Sequence, residues 1–357
     1  MTNLKIKTSD NFNSTPRIAQ VEISTSCNAS CIYCPRMILR NEWISRFMDL
    51  KLYRQVIREL LGIKSIGYVH LQGWGEPLLH PNLMDIINEV QGKVDFGLTT
   101  NGLLLNEHYV NKLISSGINV IAITFAGATP STHNAIRIGC DFNTLIKNLR
   151  ELVKVKERLR SNTRVIASYI ALSMNIHELP DFVELCHKLG IEEVIIDNLS
   201  YILSRDMLMW KAFTDLMEQE PKVFKRIVSI ALGKAKELGI KVFTYSLSCW
   251  ELTECPERPT ESVFINVNGD VSPCVFLNLP VRDSDIPRCF MGKCFKVRKT
   301  VFGNIGSSNI MSIWNNEDYK EFRLKFIKRR SQGFTEEYNI NSTLPSQCIT
   351  CYRLYGV

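Results

Sequence analysis

The chain has 357 residues, 45% of them hydrophobic, enough for one large core or a large domain with a smaller companion. It contains no run of 18 or more apolar residues, and its polar first sixteen residues lack the apolar centre of a secretion signal, so the reading excludes a membrane span and export and favours the cytoplasm. In that reducing compartment the 12 cysteines read as metal ligands rather than a disulfide framework.

The net charge of +7 thickens at Lys293, Lys296, Arg298 and Lys299 and again at Lys325, Lys328, Arg329 and Arg330. Such faces are either simply solvated or attract an anionic partner. Interleaved aromatics and a nucleic-acid module are both missing, so nucleic acid is not the expected partner.

Residues 1–16 form an N-terminal extension. Ala19, Val21 and Ile23 then alternate with Gln20, Glu22 and Ser24, the period of a strand, which delivers the loop Cys27-Asn28-Ala29-Ser30-Cys31-Ile32-Tyr33-Cys34. Tyr53, Val56, Ile57, Leu60 and Leu61 recur at helical spacing, and Gly62 sits where that helix stops. Strands over 66–72, 95–100, 119–125, 164–172 and 193–198 follow, alternating with helices over 82–90, 107–115, 142–160, 178–188 and 222–238. Six strand–helix units predict parallel strands with right-handed crossovers, too few for the eight-stranded closed barrel. The expected fold is α/β, a partial (βα)6 TIM-like barrel over 17–245, open on one side, with its site at the C-terminal ends of the strands.

Past residue 245 the alternation stops, and residues 246–357 read as a small C-terminal α+β iron–sulfur domain. A β-hairpin is expected from 263–267 and 270–275, with Asn268-Gly269 supplying the positive φ of a type I′ turn and Pro273 marking an edge strand. Residues 277–300 look like an irregular charged insertion. Ile313, Trp314, Tyr319, Phe322 and Phe326 then mark an amphipathic helix, before Cys348-Ile349-Thr350-Cys351.

Three cysteines spaced x3 then x2 in one loop suit a [4Fe–4S] cube, because three thiolates for four irons leave one iron open to a ligand. Zinc, the structural alternative, takes four ligands in paired knuckles, and no fourth Cys or His follows Cys34 closely. With Tyr33 as the aromatic residue, Cys27, Cys31 and Cys34 match the CxxxCxφC signature, and here the chain resembles the radical S-adenosylmethionine (SAM) enzymes. The resemblance implies that the open iron chelates the amino and carboxylate groups of SAM, and that one electron cleaves it to methionine and a 5′-deoxyadenosyl radical, which abstracts a substrate hydrogen.

The family's SAM-binding segments map onto this chain residue by residue. Gly75, Glu76 and Pro77 fall on the GGEP segment that receives the SAM amino group, with Gly73 in support and Trp74 replacing the usual glycine. Thr100 and Asn101 fall on the TNG turn. Thr124-Phe125-Ala126-Gly127 stands where Ser-x-Asp-Gly is common, so Ala126 lacks the carboxylate. Thr124, Arg137 and Asn175 are further implied SAM contacts, Arg137 as a fork to the carboxylate or else a surface salt bridge. Ile196 packs adenine or belongs to the core. Asp197 and Asn198, at the end of strand six, are the candidates for substrate binding, and His70 is either a satisfied buried histidine or faces the barrel mouth.

Cys255, Gly269 and Cys274, with thirteen and four residues between them, resemble the family's SPASM and twitch extensions, and Cys348 and Cys351 complete four ligands. The resemblance implies one fully ligated auxiliary [4Fe–4S] cluster in a shortened, twitch-like SPASM domain; a zinc site is the alternative. Cys186 reads as core, and Cys289 and Cys294 remain as minor metal candidates.

The leading expectation is an enzyme that abstracts hydrogen from an unactivated carbon of a small-molecule or lipid substrate, an anionic one suiting the basic patches. The auxiliary cluster serves as electron relay, and flavodoxin or ferredoxin as donor. One alternative is a ribosomal-peptide maturase, disfavoured by the short stretch before the first strand; another is a zinc-stabilised RNA-binding module.

Overall fold

The computed structural model describes residues 15–219, 221–332 and 344–357, so most of the expected 1–16 extension lies outside the described residues. Strand β1 (Ile18–Val21) leads into the cysteine loop, which carries the short strand β2 (Ser30–Cys31) and one helical turn, α1 (Pro35–Ile38). Helix α2 (Leu50–Leu61) starts where the Asp49 carboxylate accepts from the backbone N–H groups of Lys51 and Leu52, and it buries Tyr53, Val56, Ile57 and Leu60. The alternation continues through β3 (Tyr68–Leu71), α3 (Leu83–Val90), β4 (Asp95–Thr100), α4 (Glu107–Ser115) and β5 (Val120–Phe125). After α5 (Pro130–Ile136) and β6 (Arg137–Ile138) come α6 (Phe142–Arg158), β7 (Arg164–Ala171), α7 (Leu179–Lys188), β8 (Glu193–Asn198), α8 (Arg205–Leu208), α9 (Lys222–Glu237) and β9 (Lys241–Thr244). The expected elements recur with ends shifted by a few residues at most; α5, α8 and β9 carry no comparable periodicity.

Strand alternation sorts the side chains. Val69, Leu71, Leu98, Ile121, Ile123 and Ala167 are buried in the core, while the opposite, concave face carries a polar lining. There His70 bridges the Tyr68 hydroxyl and Thr99 Oγ1, each at 2.9 Å, and Ser168 donates to Asp197. Burial pushes the His70 pKa down to about 4, so this histidine is neutral and satisfied.

The C-terminal region joins the same sheet. Strand β10 (Ser262–Ile265) pairs in parallel with β1, and β11 (Asp270–Ser272) pairs antiparallel with β10. With β14 (Gly303–Asn304) at one end, the sheet runs β14-β11-β10-β1-β3-β4-β5-β7-β8-β9, with two free ends, so the barrel is open. β14 covers β11, so β11 is not an edge strand, and Pro273 falls just beyond its end. The hairpin turn is not type I′ either. Only Gly269 has positive φ, and Asn266 Oδ1 accepts from the N–H groups of Asn268 and Asp270, a three-residue loop ending in a left-handed glycine.

Residues 277–300 are not irregular. They hold β12 (Asp285–Phe290) and β13 (Lys293–Arg298), joined by Met291 and Gly292, both at positive φ: the two-residue type I′ loop is here, without the Asn-Gly signal. Cys289 and Cys294 face each other across this hairpin and form a disulfide, correcting their reading as metal candidates. The basic patches are largely paired: Lys296 with Asp283, Arg298 with Asp285, Lys325 with Glu321, Arg329 with Glu251 and Arg330 with Glu254. Helices α10 (Ile310–Trp314) and α11 (Glu317–Gln332) split the expected amphipathic helix in two.

Ile265 on β10 is fully buried opposite Val21. Ile265→Ala should cost about 2–5 kcal/mol in urea unfolding. A single transition by fluorescence and circular dichroism is expected; two separated transitions would show that the C-terminal region folds independently of β1.

Candidate functional site

The candidate ligand thiols fall into two sets. The first lies on the loop after β1, tightened by the bond from Cys34 N–H to the Cys31 carbonyl and from Ala29 N–H to Cys27 Sγ. Arg137 faces Cys31 across the β2–β6 ladder. Burial, then the charge of Cys31, pushes the Cys34 thiol up to about 12, and burial also raises Cys27. Cys31 moves the other way, to about 6, because the Cys140 thiol hydrogen-bonds to it, burial opposes this, and Arg137 adds its charge. Cys140, which sequence reasoning left without a role, is therefore a neighbour of this set; the only signal was its position just after Arg137.

One carboxylate staples the loops that follow β3 and β4, and Asn101 carries the link on to the loop after β1. Glu76 accepts from Thr100 Oγ1 at 2.7 Å, Asn101 N–H at 2.7 Å and Leu78 N–H at 3.0 Å. Asn101 in turn donates to Asn28 Oδ1 and lies 3.9 Å from Cys27 Sγ. Gly75 lies in a cradle no side chain could enter, since a Cβ there would come within 2.4 Å of the Ser24 carbonyl and 2.6 Å of that of Ser26. Pro77 is buried and opens a short 3₁₀ turn, and Thr124 Oγ1 lies 3.3 Å from the Thr100 carbonyl.

Arg137 is no surface residue: it is 4% exposed and donates to the Tyr33 hydroxyl at 2.8 Å. Among the described residues no carboxylate lies within ion-pair reach of it. Asn175 has spent its amide, accepting from Leu172 N–H and donating to the Ala126 and Ile170 carbonyls. Ile196 is buried in the core, on the opposite side of β8 from Asp197. Asn198 shares that side and holds the Ser246 carbonyl, so of the two candidates only Asp197 faces the concave surface. There it meets Arg353, whose guanidinium also reaches Glu257 at 3.0 Å and the Tyr245 hydroxyl at 2.7 Å.

Cys255, Cys274, Cys348 and Cys351 form the second set. Burial pushes the thiols of Cys255, Cys274 and Cys348 well up, and each is raised further by other members of the set. Among the described residues no three His, Cys, Asp or Glu side chains are gathered tightly enough for a single metal ion. A cube takes one thiolate per iron, so it needs its ligands spread more widely than one ion does, and buried all-thiol sets of this kind suit it. Trp74, from the loop after β3, packs with Tyr201 and Phe276, with ring centroids 5.3–6.0 Å apart, and its Nε1 donates to the Val275 carbonyl, beside Cys274. A cleft of about 320 Å³ lined by Arg46, Arg282 and Lys299 includes no residue of either thiol set.

The radical SAM superfamily model matches residues 21–186, and that of the SPASM iron–sulfur cluster-binding domain matches 255–352. The chain is 23% identical to the tungsten-containing aldehyde ferredoxin oxidoreductase cofactor-modifying protein of Pyrococcus furiosus, over 85% of this chain and 82% of that one. It is 24% identical to a probable GTP 3′,8-cyclase of Methanococcus maripaludis, over 81% and 97% respectively. In fold it resembles Streptococcus suis SuiB, solved bound to S-adenosylmethionine, with a TM-score of 0.65 at 16% identity, covering 96% of this chain and 72% of that one.

Glu22, at the end of β1, accepts from Trp74 N–H with one oxygen, while the other is buried without a partner. Burial raises its pKa from 4.5 to about 8, so the stability it contributes is present below pH 4.5 and lost as pH rises through 8. Glu22→Gln keeps the acceptor for Trp74 and cannot ionise. Urea unfolding should therefore lose less stability in the variant than in the wild type between about pH 5 and 9; parallel profiles would show that folding does not raise the Glu22 pKa.

Proposed function

This chain belongs to the radical SAM superfamily and carries a C-terminal SPASM iron–sulfur cluster-binding domain, and we propose that it abstracts hydrogen from an unactivated carbon of a small-molecule or lipid substrate. Its cofactors are SAM and [4Fe–4S] clusters. In this reading Cys27, Cys31 and Cys34 hold the SAM-binding cluster, and Cys255, Cys274, Cys348 and Cys351 hold the auxiliary one. When bound, the reduced cluster supplies the electron that splits SAM into methionine and a 5′-deoxyadenosyl radical, and the second cluster supplies a site to take or return an electron.

The observation that carries the reading is Arg137. A guanidinium buried against Tyr33 and Cys31, with no carboxylate in ion-pair reach among the described residues, is costly unless an anion arrives, and the carboxylate of SAM is such an anion. Glu76 then acts as a positioning residue, holding the Gly75 backbone and the Thr100-Asn101 turn in one frame, while Thr124 and Tyr33 border the same space. Asn175 and Ile196 support the frame from behind. On the concave face Asp197, Ser168 and Tyr245 offer polar contacts to substrate. Two of the relatives are named for GTP and for an enzyme cofactor, which favours a small molecule over the peptide that SuiB has been solved with. An electron donor of the flavodoxin or ferredoxin type completes the scheme.

Anaerobically purified protein should be brown and rich in iron and sulfide, and with reductant and SAM it should release 5′-deoxyadenosine. Replacing Cys27, Cys31 and Cys34 with Ala should abolish that release; persistent 5′-deoxyadenosine, or a colourless zinc protein from the wild type, would sink the assignment. Arg137→Ala should weaken SAM binding by about 1–3 kcal/mol, and an unchanged affinity in equilibrium binding would remove Arg137 from the SAM pocket. Cys348→Ala combined with Cys351→Ala should remove about four of roughly eight irons per chain, counted by iron analysis, while the first cluster remains.

A further inference from the structure

We propose that Arg288 is the counter-cation of the second cluster: its fork clamps the two loops that carry the ligands, and the positive charge thus fixed beside the cluster raises its reduction potential. The inference rests on the reading that Cys255, Cys274, Cys348 and Cys351 bind that cluster.

Arg288 lies on β12, in the stretch that looked irregular in sequence, and is 2% exposed. Its Nη1 donates to the Gln347 carbonyl at 2.7 Å and its Nη2 to the Phe276 carbonyl at 3.1 Å. Gln347 immediately precedes Cys348, and Phe276 lies two residues past Cys274, so one planar fork spans two ligand loops far apart in sequence. The guanidinium lies 5.6 Å from the centre of the Tyr201 ring. Its Nε is buried with no partner, and among the described residues no carboxylate forms an ion pair with it.

A buried cation in that position needs a negative charge nearby. The fork seats the positive charge on the Gln347 carbonyl, next to Cys348, and on the Phe276 carbonyl, two residues past Cys274, so the thiol set is what it faces. Once cysteine thiolates ligate a cube, the whole is anionic, and each added electron makes it more so. A fixed positive charge beside it favours the reduced form, and net charge is one of the main determinants of such potentials. The strand is held in place independently: Cys289 N–H donates to the Ile202 carbonyl at 2.7 Å, and the Cys289–Cys294 disulfide ties it to β13.

The test is an anaerobic redox titration of the reconstituted full-length protein, followed by electron paramagnetic resonance, comparing the wild type with R288K and R288M, together with iron counts. R288M should keep its iron while the second cluster's midpoint falls, so that at a fixed potential its reduced-to-oxidised ratio drops about tenfold, 59 mV for one electron. R288K, which keeps the charge and loses the fork, should recover most of that shift, and the SAM-binding cluster should not move in either variant. An unchanged midpoint in iron-replete R288M overturns the proposal. If R288M cannot hold the cluster, R288K decides: retention near the wild-type midpoint supports the charge role, and loss of iron from R288K too overturns it by reducing Arg288 to a fold residue. A wild-type chain with only one cluster would overturn the underlying reading, and this inference with it.

Discussion

Everything in this structure answers to the cost of burying sulfur that must carry negative charge. Desolvation drives Cys34 up to about 12 and Cys255, Cys274 and Cys348 well above the ordinary thiol range, so neither set holds its thiolates comfortably without a positive centre among them. The protein supplies part of that compensation itself. Arg137 stands beside the first set and Arg288 beside the second, each deeply buried and each without a carboxylate partner among the described residues.

The sheet turns this local requirement into a fixed geometry. The first thiol loop leaves the end of β1, and Cys274 follows β11, which is joined through β10 to that same strand. The spacing of the two sets is thus set by strand pairing across a continuous sheet rather than by a linker. Trp74 and Glu22 reinforce it. The first reaches from the loop after β3 to the Val275 carbonyl, and the second holds the Trp74 backbone against the end of β1.

Much of this was legible in the sequence, and the reasons are local. Period-two and period-3.6 patterns report burial directly, so the six strands of the alternation and the helices between them were found, and cysteine spacing within one loop is a local property as well. What escaped depends on contacts between distant residues. Asp197 and Asn198 look equivalent as neighbours at a strand end, yet alternation sends Asn198 to Ser246 and Asp197 to Arg353. Asn268-Gly269 carries the usual hairpin signal, but Asn266 captures the turn with its side chain; the loop with two left-handed residues falls at Met291-Gly292, where the pairing of β12 with β13 overrides an ordinary preference. Arg288 and Arg353 are anonymous basic residues until the fold brings Gln347, Phe276, Glu257 and Tyr245 around them.

The tail that carries Cys351 also carries Arg353, two residues further on, to Asp197, Glu257 and Tyr245 at the concave face. Whatever orders Cys351 therefore orders Arg353. The two ends of that segment are set in one step: a chain whose last cysteines are not yet in place also lacks the cation that Asp197, Glu257 and Tyr245 share.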